Sequence, residues 1–210
     1  MKVDSLYPGY FLPTVAGGLL ASYCASVAGQ PVLASVMFGL GLICWFILGS
    51  IMLARLFARP SLPTPLLPTL AIEVAPAAIA GLAWFRLRGE QIDTVAAILG
   101  GYGLLMVLAQ VRLFPTYVRL PFMPSTWSFT FSWAAVATAG IAWLEALRPP
   151  AYPVWQYALL AAITLLIGSI ATRTIVALAT GRLWPGPAPA PVTAGRPLPG
   201  RGPARDGARR

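Results

Sequence analysis

Few residues in this chain are equipped for chemistry. It has no histidine and two cysteines, which excludes histidine-based triads, His/Cys zinc sites and a disulfide scaffold. Cys24 and Cys44 lie in apolar stretches and read as unpaired packing residues. Glu73 is the one carboxylate inside a long apolar stretch, where an ionisable group is costly and by default functional. Two roles are open to it: taking up a proton or cation, or complementing the positive end of a helix about one turn from its start at Thr69. Glu73 has no histidine partner, and Glu90, Asp93 and Glu145 fall toward the far ends of their segments. No acid and base pair emerges, so the chain does not read as an enzyme, and no cofactor or metal is implied.

The run Trp127-Ser128-Phe129-Thr130-Phe131-Ser132-Trp133 alternates like a strand, but it continues into an alanine-rich stretch too long for one. Wound as a helix, it has two aromatic faces. Trp127 and Phe131 share one with Ala134, Ala135 and Thr138; Phe129 and Trp133 share the other with Val136, Ala137 and Gly140. Either phenylalanine is placed to plug a lumen lined by small residues, and aromatic packing or an interfacial belt accounts for the same pattern.

Arg55, Arg59, Arg112 and Arg119 gather at one set of segment ends. They attract anions, as do the N-terminal ends of helices entering from that side, and the rule that positive loops stay cytoplasmic explains them equally. The formal charge is +9, of which Arg182, Arg196, Arg201, Arg205, Arg209 and Arg210 less Asp206 contribute +5. Fourteen arginines to one lysine, with abundant Ala, Gly and Pro, reflect base composition and not nucleic-acid binding.

The elements that position these residues must be membrane helices. Hydrophobic residues make up 58% and charged residues 10%, with a mean hydropathy of +0.74, against about 25% charged in a soluble domain. Six stretches have the length that crosses a hydrocarbon core: Phe11–Gly29, Val32–Phe57, Thr69–Leu87, Thr94–Leu113, Thr126–Leu144 and Val154–Leu178. Short turn-like links, such as Gln30-Pro31 and Arg148-Pro149-Pro150, make them three antiparallel hairpins. Residues 1–180 form this all-α integral membrane domain. Residues 181–210 hold seven Pro and six Gly and are expected to be a disordered tail. The start lacks a signal-peptide pattern, so Met1 reads as the first mature residue or a truncated start. Lys2, Arg55, Arg59, Arg112, Arg119, Arg173 and the tail fall on one side, against Arg86, Arg88 and Arg148 on the other. Both termini are expected to be cytoplasmic in the plasma (inner) membrane.

Odd and even segments differ. Over nineteen-residue windows the odd ones contain 29 Gly, Ala, Ser or Thr and the even ones 20. Pro13 and Pro76 also lie inside odd segments, where they kink a helix and free a carbonyl. An inner layer of small, kinked odd helices behind bulky even helices is expected; close packing without a pore uses the same residues.

Three segments together resemble the tellurite-resistance and C4-dicarboxylate transporter family, whose plant relatives are the slow-type guard-cell anion channels. They are Tyr7-Pro8-Gly9-Tyr10-Phe11-Leu12-Pro13, Pro68-Thr69-Leu70-Ala71-Ile72-Glu73-Val74-Ala75-Pro76 and Trp127-Ser128-Phe129-Thr130-Phe131. The resemblance implies ten helices, five kinked odd ones ringing a pore, commonly in a homotrimer, with this chain matching the last six. It puts the pore-occluding phenylalanine on Phe131, with Phe129 as runner-up. Relatives often have Pro or Gly where this chain has Ser132. Three of five pore-lining helices cannot close the ring, so the chain is either truncated or completed by copies of itself or a separate half.

The expected function is a channel or transporter for small anions, such as C4-dicarboxylates like malate, chloride or tellurite-like oxyanions. Phe131 obstructs a pore lined by Pro13, Pro76, Ala134, Ala135 and Thr138, and Glu73 is a possible proton-coupling group. The alternative is a half-length membrane subunit that acts only by assembling with other chains.

Overall fold

The computed structural model describes residues 6–89 and 91–181; the expected tail lies outside them except for Gly181. The described residues contain no strand and form six spans, α1 (Pro8–Val27), α2 (Pro31–Ala58), α3 (Thr64–Arg88), α4 (Thr94–Val118), α5 (Pro124–Leu147) and α6 (Tyr152–Ala179). The chain is therefore a multi-pass membrane protein. Each span satisfies its backbone internally, as lipid requires.

Sequence-local signals set most of the ends. Pro31 opens α2 where its missing N–H costs nothing. Gly89 adopts a left-handed conformation (φ 68°) just past α3, and its N–H donates to the Phe85 carbonyl. Asp93 caps α4, its carboxylate accepting from the Ala96 N–H at 2.9 Å and from the Trp84 indole at 2.8 Å. The Arg88 guanidinium stands 3.8 Å away. These partners, the Ala96 N–H first, hold the Asp93 carboxyl below its usual range against some desolvation. A depressed carboxyl stabilises the fold above its unfolded value, near pH 3.9, and that contribution disappears as pH falls through the folded value. Thermal melts in detergent should therefore show wild type losing part of its advantage over Asp93→Ala below about pH 4. A difference independent of pH would refute this role.

Two boundaries depart from expectation. α4 continues past Leu113 to Val118, with Pro115 inside it. α3 begins five residues before Thr69, and Thr64–Val74 is a 3-10 helix of eleven residues before α-helix resumes at Ala75. Such runs rarely exceed four residues. Prolines explain it: in an α-helix, Pro68 and Pro76 would press their rings on the carbonyls of Thr64 and Ile72. The tighter winding removes that clash, and the Ala75 N–H donates to the Ile72 carbonyl.

The inner spans are irregular at the end where they begin. α1 starts with a 3-10 turn at Pro8–Tyr10 and a π-helical turn at Leu12–Ala16 around Pro13; α5 starts with a 3-10 turn at Pro124–Trp127. By contrast, α2, α4 and α6 are α-helical throughout.

α3 is the centre of the bundle, packed between α1 and α5, while α2, α4 and α6 each pair with the preceding span. The three hairpins and the inner row of odd helices match the expected architecture. The row is not closed, however: α5 is half-buried along most of its length, with only Ser132 and Ala137 of Ser128–Leu147 fully buried. Large exposed apolar side chains such as Val32, Phe57, Leu104, Phe114 and Leu165 cover the even helices, which suits lipid as their solvent.

α1 and α2 touch backbone to backbone. A Cβ added to Gly18 would lie 2.9 Å from the Gly41 Cα. From that crossing, one stripe of α2 faces inward through Ala34, Phe38, Trp45, Met52 and Arg55.

Candidate functional site: a cleft between the inner helices

α1, α3 and α5 enclose a cleft of about 240 Å³. Leu20 and Tyr23 of α1 form one wall, Ile79 and Leu82 of α3 the floor, and Phe131, Ala134, Ala135 and Thr138 of α5 the other wall. Helical spacing brings the four α5 residues together. Phe131 is half-buried and packs partly against the core, so its ring is held at the edge of the cleft. Thr138 donates its hydroxyl to the Ala134 carbonyl at 2.9 Å, leaving oxygen lone pairs as a weak polar feature of the wall. The Arg86 guanidinium lies 5.7 Å from the centroid of the Tyr23 ring, putting positive charge beside the cleft at its α3 C-terminal end.

Phe129 is elsewhere. Its ring meets Tyr117 of α4 edge-on, with centroids 4.9 Å apart, and does not line the cleft. Ser132 is fully buried, and its hydroxyl donates to the Ser128 carbonyl within an unbroken α-helix. Pro13 is exposed at the start of α1 and Pro76 is fully buried in α3, so neither is part of the cleft wall. Their effect is on the winding of the helices that form it.

Glu73 lies nine residues into α3, well beyond the first turn to which helix-dipole complementation is confined. It sits toward α4, close enough for Tyr102 and Tyr117 to feel its charge, and its Oε1 is buried with no hydrogen-bond partner. Beside it, Gln110 ties the two helices together: its amide donates to the Leu70 carbonyl at 3.0 Å and its oxygen accepts from the Tyr117 hydroxyl at 2.8 Å. Ser125 binds the Pro65 carbonyl at 2.6 Å, and the Trp127 indole donates to Thr174 at 3.0 Å. Together these bonds fix the α3 to α5 to α6 contacts at one end of the bundle.

The four arginines do not form a common funnel. Arg59, Arg112 and Arg119 are exposed on or just past the outer helices, whereas Arg55 is turned inward and is 3% exposed. Leu20, Tyr23, Ile79, Leu82 and Arg86 escaped the sequence reading. Leu20 with Tyr23, and Ile79 with Leu82 and Arg86, have the spacing of one helix face, but nothing in sequence says that these faces meet α5.

A larger cavity, about 480 Å³, lies between α3, α4 and α5. Its lining is apolar and small, including Ala77, Ala78, Gly81, Gly100 and Gly103, and it carries no charged group. Trp143, packed edge-on to Phe85 at 5.2 Å, borders it. The smaller cleft is the candidate site because the inner helices, the polar hydroxyls and the nearby guanidinium converge on it.

Six membrane helices with an inner row around a narrow cleft define a polytopic membrane protein. Residues 1–175 match the voltage-dependent anion channel family model, SLAC1, and the chain belongs to that family. It is 32% identical over 138 residues to the tellurite resistance protein TehA homolog of Haemophilus influenzae. That match covers 66% of this chain and 42% of the relative, so the chain spans under half of the relative's length.

Proposed function

We propose that this chain forms part of the wall of a pore for small anions and that Phe131 obstructs the path. The observation carrying the proposal is the Phe131 ring at the edge of a cleft walled by all three inner helices, in a chain of this family. Small anions such as malate, chloride or tellurite-like oxyanions suit a narrow passage with weak attraction from hydroxyls, helix ends and the Arg86 charge. Selectivity then comes from diameter and field, without one tight site. The cytoplasmic side is the side of Arg55, Arg59, Arg112 and Arg119, following the charge distribution.

The open side of the inner row favours completion by other chains, either copies of this one, a trimer in the pattern of the resemblance, or a complementary half with further helices. Uptake of labelled malate and chloride by liposomes tests both. Flux through the chain alone supports self-assembly, and flux only after adding separately made family helices upstream of the matched region supports the half-subunit reading. No flux in either case overturns the proposal.

Glu73 adds a coupling reading supported by its unpartnered Oε1. In that reading an inward proton gradient speeds wild-type uptake, and uptake by Glu73→Gln is insensitive to the gradient. Equal gradient responses in the two proteins would rule the coupling out.

A further inference from the structure

We propose that Tyr23 is the anion-selecting residue of the cleft, its phenol O–H donating to the anion while Arg86 stands over its ring. The inference deepens the pore reading and rests on it. An anion that leaves water needs hydrogen-bond donors in exchange, since a charge moved against an apolar wall without them is costly. Leu20, Ile79, Leu82, Phe131, Ala134 and Ala135 have no side-chain donor to give, and the Thr138 hydroxyl hydrogen is committed to the Ala134 carbonyl at 2.9 Å. Among the described residues lining the cleft, the Tyr23 hydroxyl is then the one side-chain donor left for a ligand, and it has no hydrogen-bond partner.

The surroundings of Tyr23 fit that role. Its ring packs partly against the hydrophobic core, which holds the phenol in place. The Arg86 guanidinium lies 5.7 Å from the ring centroid, and a cation there polarises the phenol toward donating. Arg86 also follows Ile79 by two helical turns on the cleft face of α3. Tyr23 lies in the last turns of α1 and Arg86 in the last turn of α3. The inner helices run in one direction, so the partial negative charge of their final carbonyls gathers at this end and repels anions. Arg86 and the Tyr23 donor offset it. The described acidic side chains of this end have other partners: Asp93 accepts from the Ala96 N–H and the Trp84 indole, and Glu145 accepts from Gln156 of α6.

The test reads the cleft directly, on the full chain in neutral detergent, with Leu20→Cys as the target thiol and Cys24→Ser and Cys44→Ser removing the native ones. Anionic and cationic methanethiosulfonates report the local field, each rate divided by that with a free thiol. Chloride or malate added against an uncharged methanethiosulfonate reports anion occupancy. We expect the anionic reagent to be favoured, with that preference about fivefold smaller in Arg86→Gln. Tyr23→Phe keeps the ring beneath the guanidinium, so it should leave the preference unchanged and raise the anion concentration that protects the thiol about fivefold. A merely structural role would not separate the two readouts in this way. Protection by neither anion, or a Tyr23→Phe midpoint equal to that of the parent, overturns the assignment. Liposome flux measured in parallel separates the two readings: both shifts without flux count against the pore alone, and flux without the Tyr23→Phe shift counts against Tyr23 alone.

Discussion

Phe131→Ala should raise anion flux in reconstituted liposomes by about tenfold or more, a barrier lowered by about 1.4 kcal/mol. The ring stands at the edge of a cleft of only about 240 Å³, so removing it widens the passage by a large fraction. Ala134, Ala135 and Thr138, on the same face, are too small to take its place. Phe129→Ala is the matched control. It deletes the same atoms two residues away, but its ring packs on Tyr117 outside the cleft, so the expected effect is a lower melting temperature without a rise in flux. Equal flux from both variants would show that the gain reflects loosening of α5 and not an opened path. No gain from Phe131→Ala would remove Phe131 as the obstruction.

The second large effect is structural. Gly18→Val should destabilise the protein by about 3 kcal/mol, the upper end for overpacking, because the clash is with backbone that cannot rotate away. A Cβ at Gly18 meets the Cα and N of Gly41 at 2.9 Å, so α1 and α2 must separate along their whole crossing. Gly39→Ala, in the same helix as Gly41, meets nothing within 4 Å and should be neutral or stabilising by up to about 1 kcal/mol. Comparable melting temperatures for the two variants would refute the close crossing. Since α1 supplies Leu20 and Tyr23 to the cleft, Gly18→Val should also lower flux.

The parts of this protein that were legible in sequence are those fixed by local rules. Lipid demands long apolar helices, so six spans could be located from length alone, and 100° per residue put Phe131 with Ala134, Ala135 and Thr138. Small residues separated inner from outer helices because backbone approach requires them. The rest depends on how helices meet. Pro65 and Pro68 fall before the expected start at Thr69, yet they lie in a 3-10 helix, since tight winding accommodates prolines that α-helix does not. Pro13 and Pro76 are outside the wall of the described cleft, and each stands where the winding of its helix changes, which depends on local geometry that spacing does not give. Arg55 follows Met52 by three residues on the helix face where Phe38, Trp45 and Met52 repeat every seven, a pattern visible in the sequence. Its charge drew the reading toward a cytoplasmic mouth, whereas the packing of α2 on α1 turns it inside.

The eleven-residue 3-10 segment also settles a matter of height. At about 2.0 Å per residue for Thr64–Val74 and 1.5 Å for Ala75–Arg88, α3 is about 43 Å long. α2 and α6 need 28 residues each to reach about 42 Å as α-helix, while α3 does so with 25. An all-α version of α3 would be about 5 Å shorter than α2 and equal in length to α4, which has the same 25 residues. The stretched winding therefore carries the central helix past the end of α4 and to the length of α2, so that fewer residues bridge the same height of bilayer.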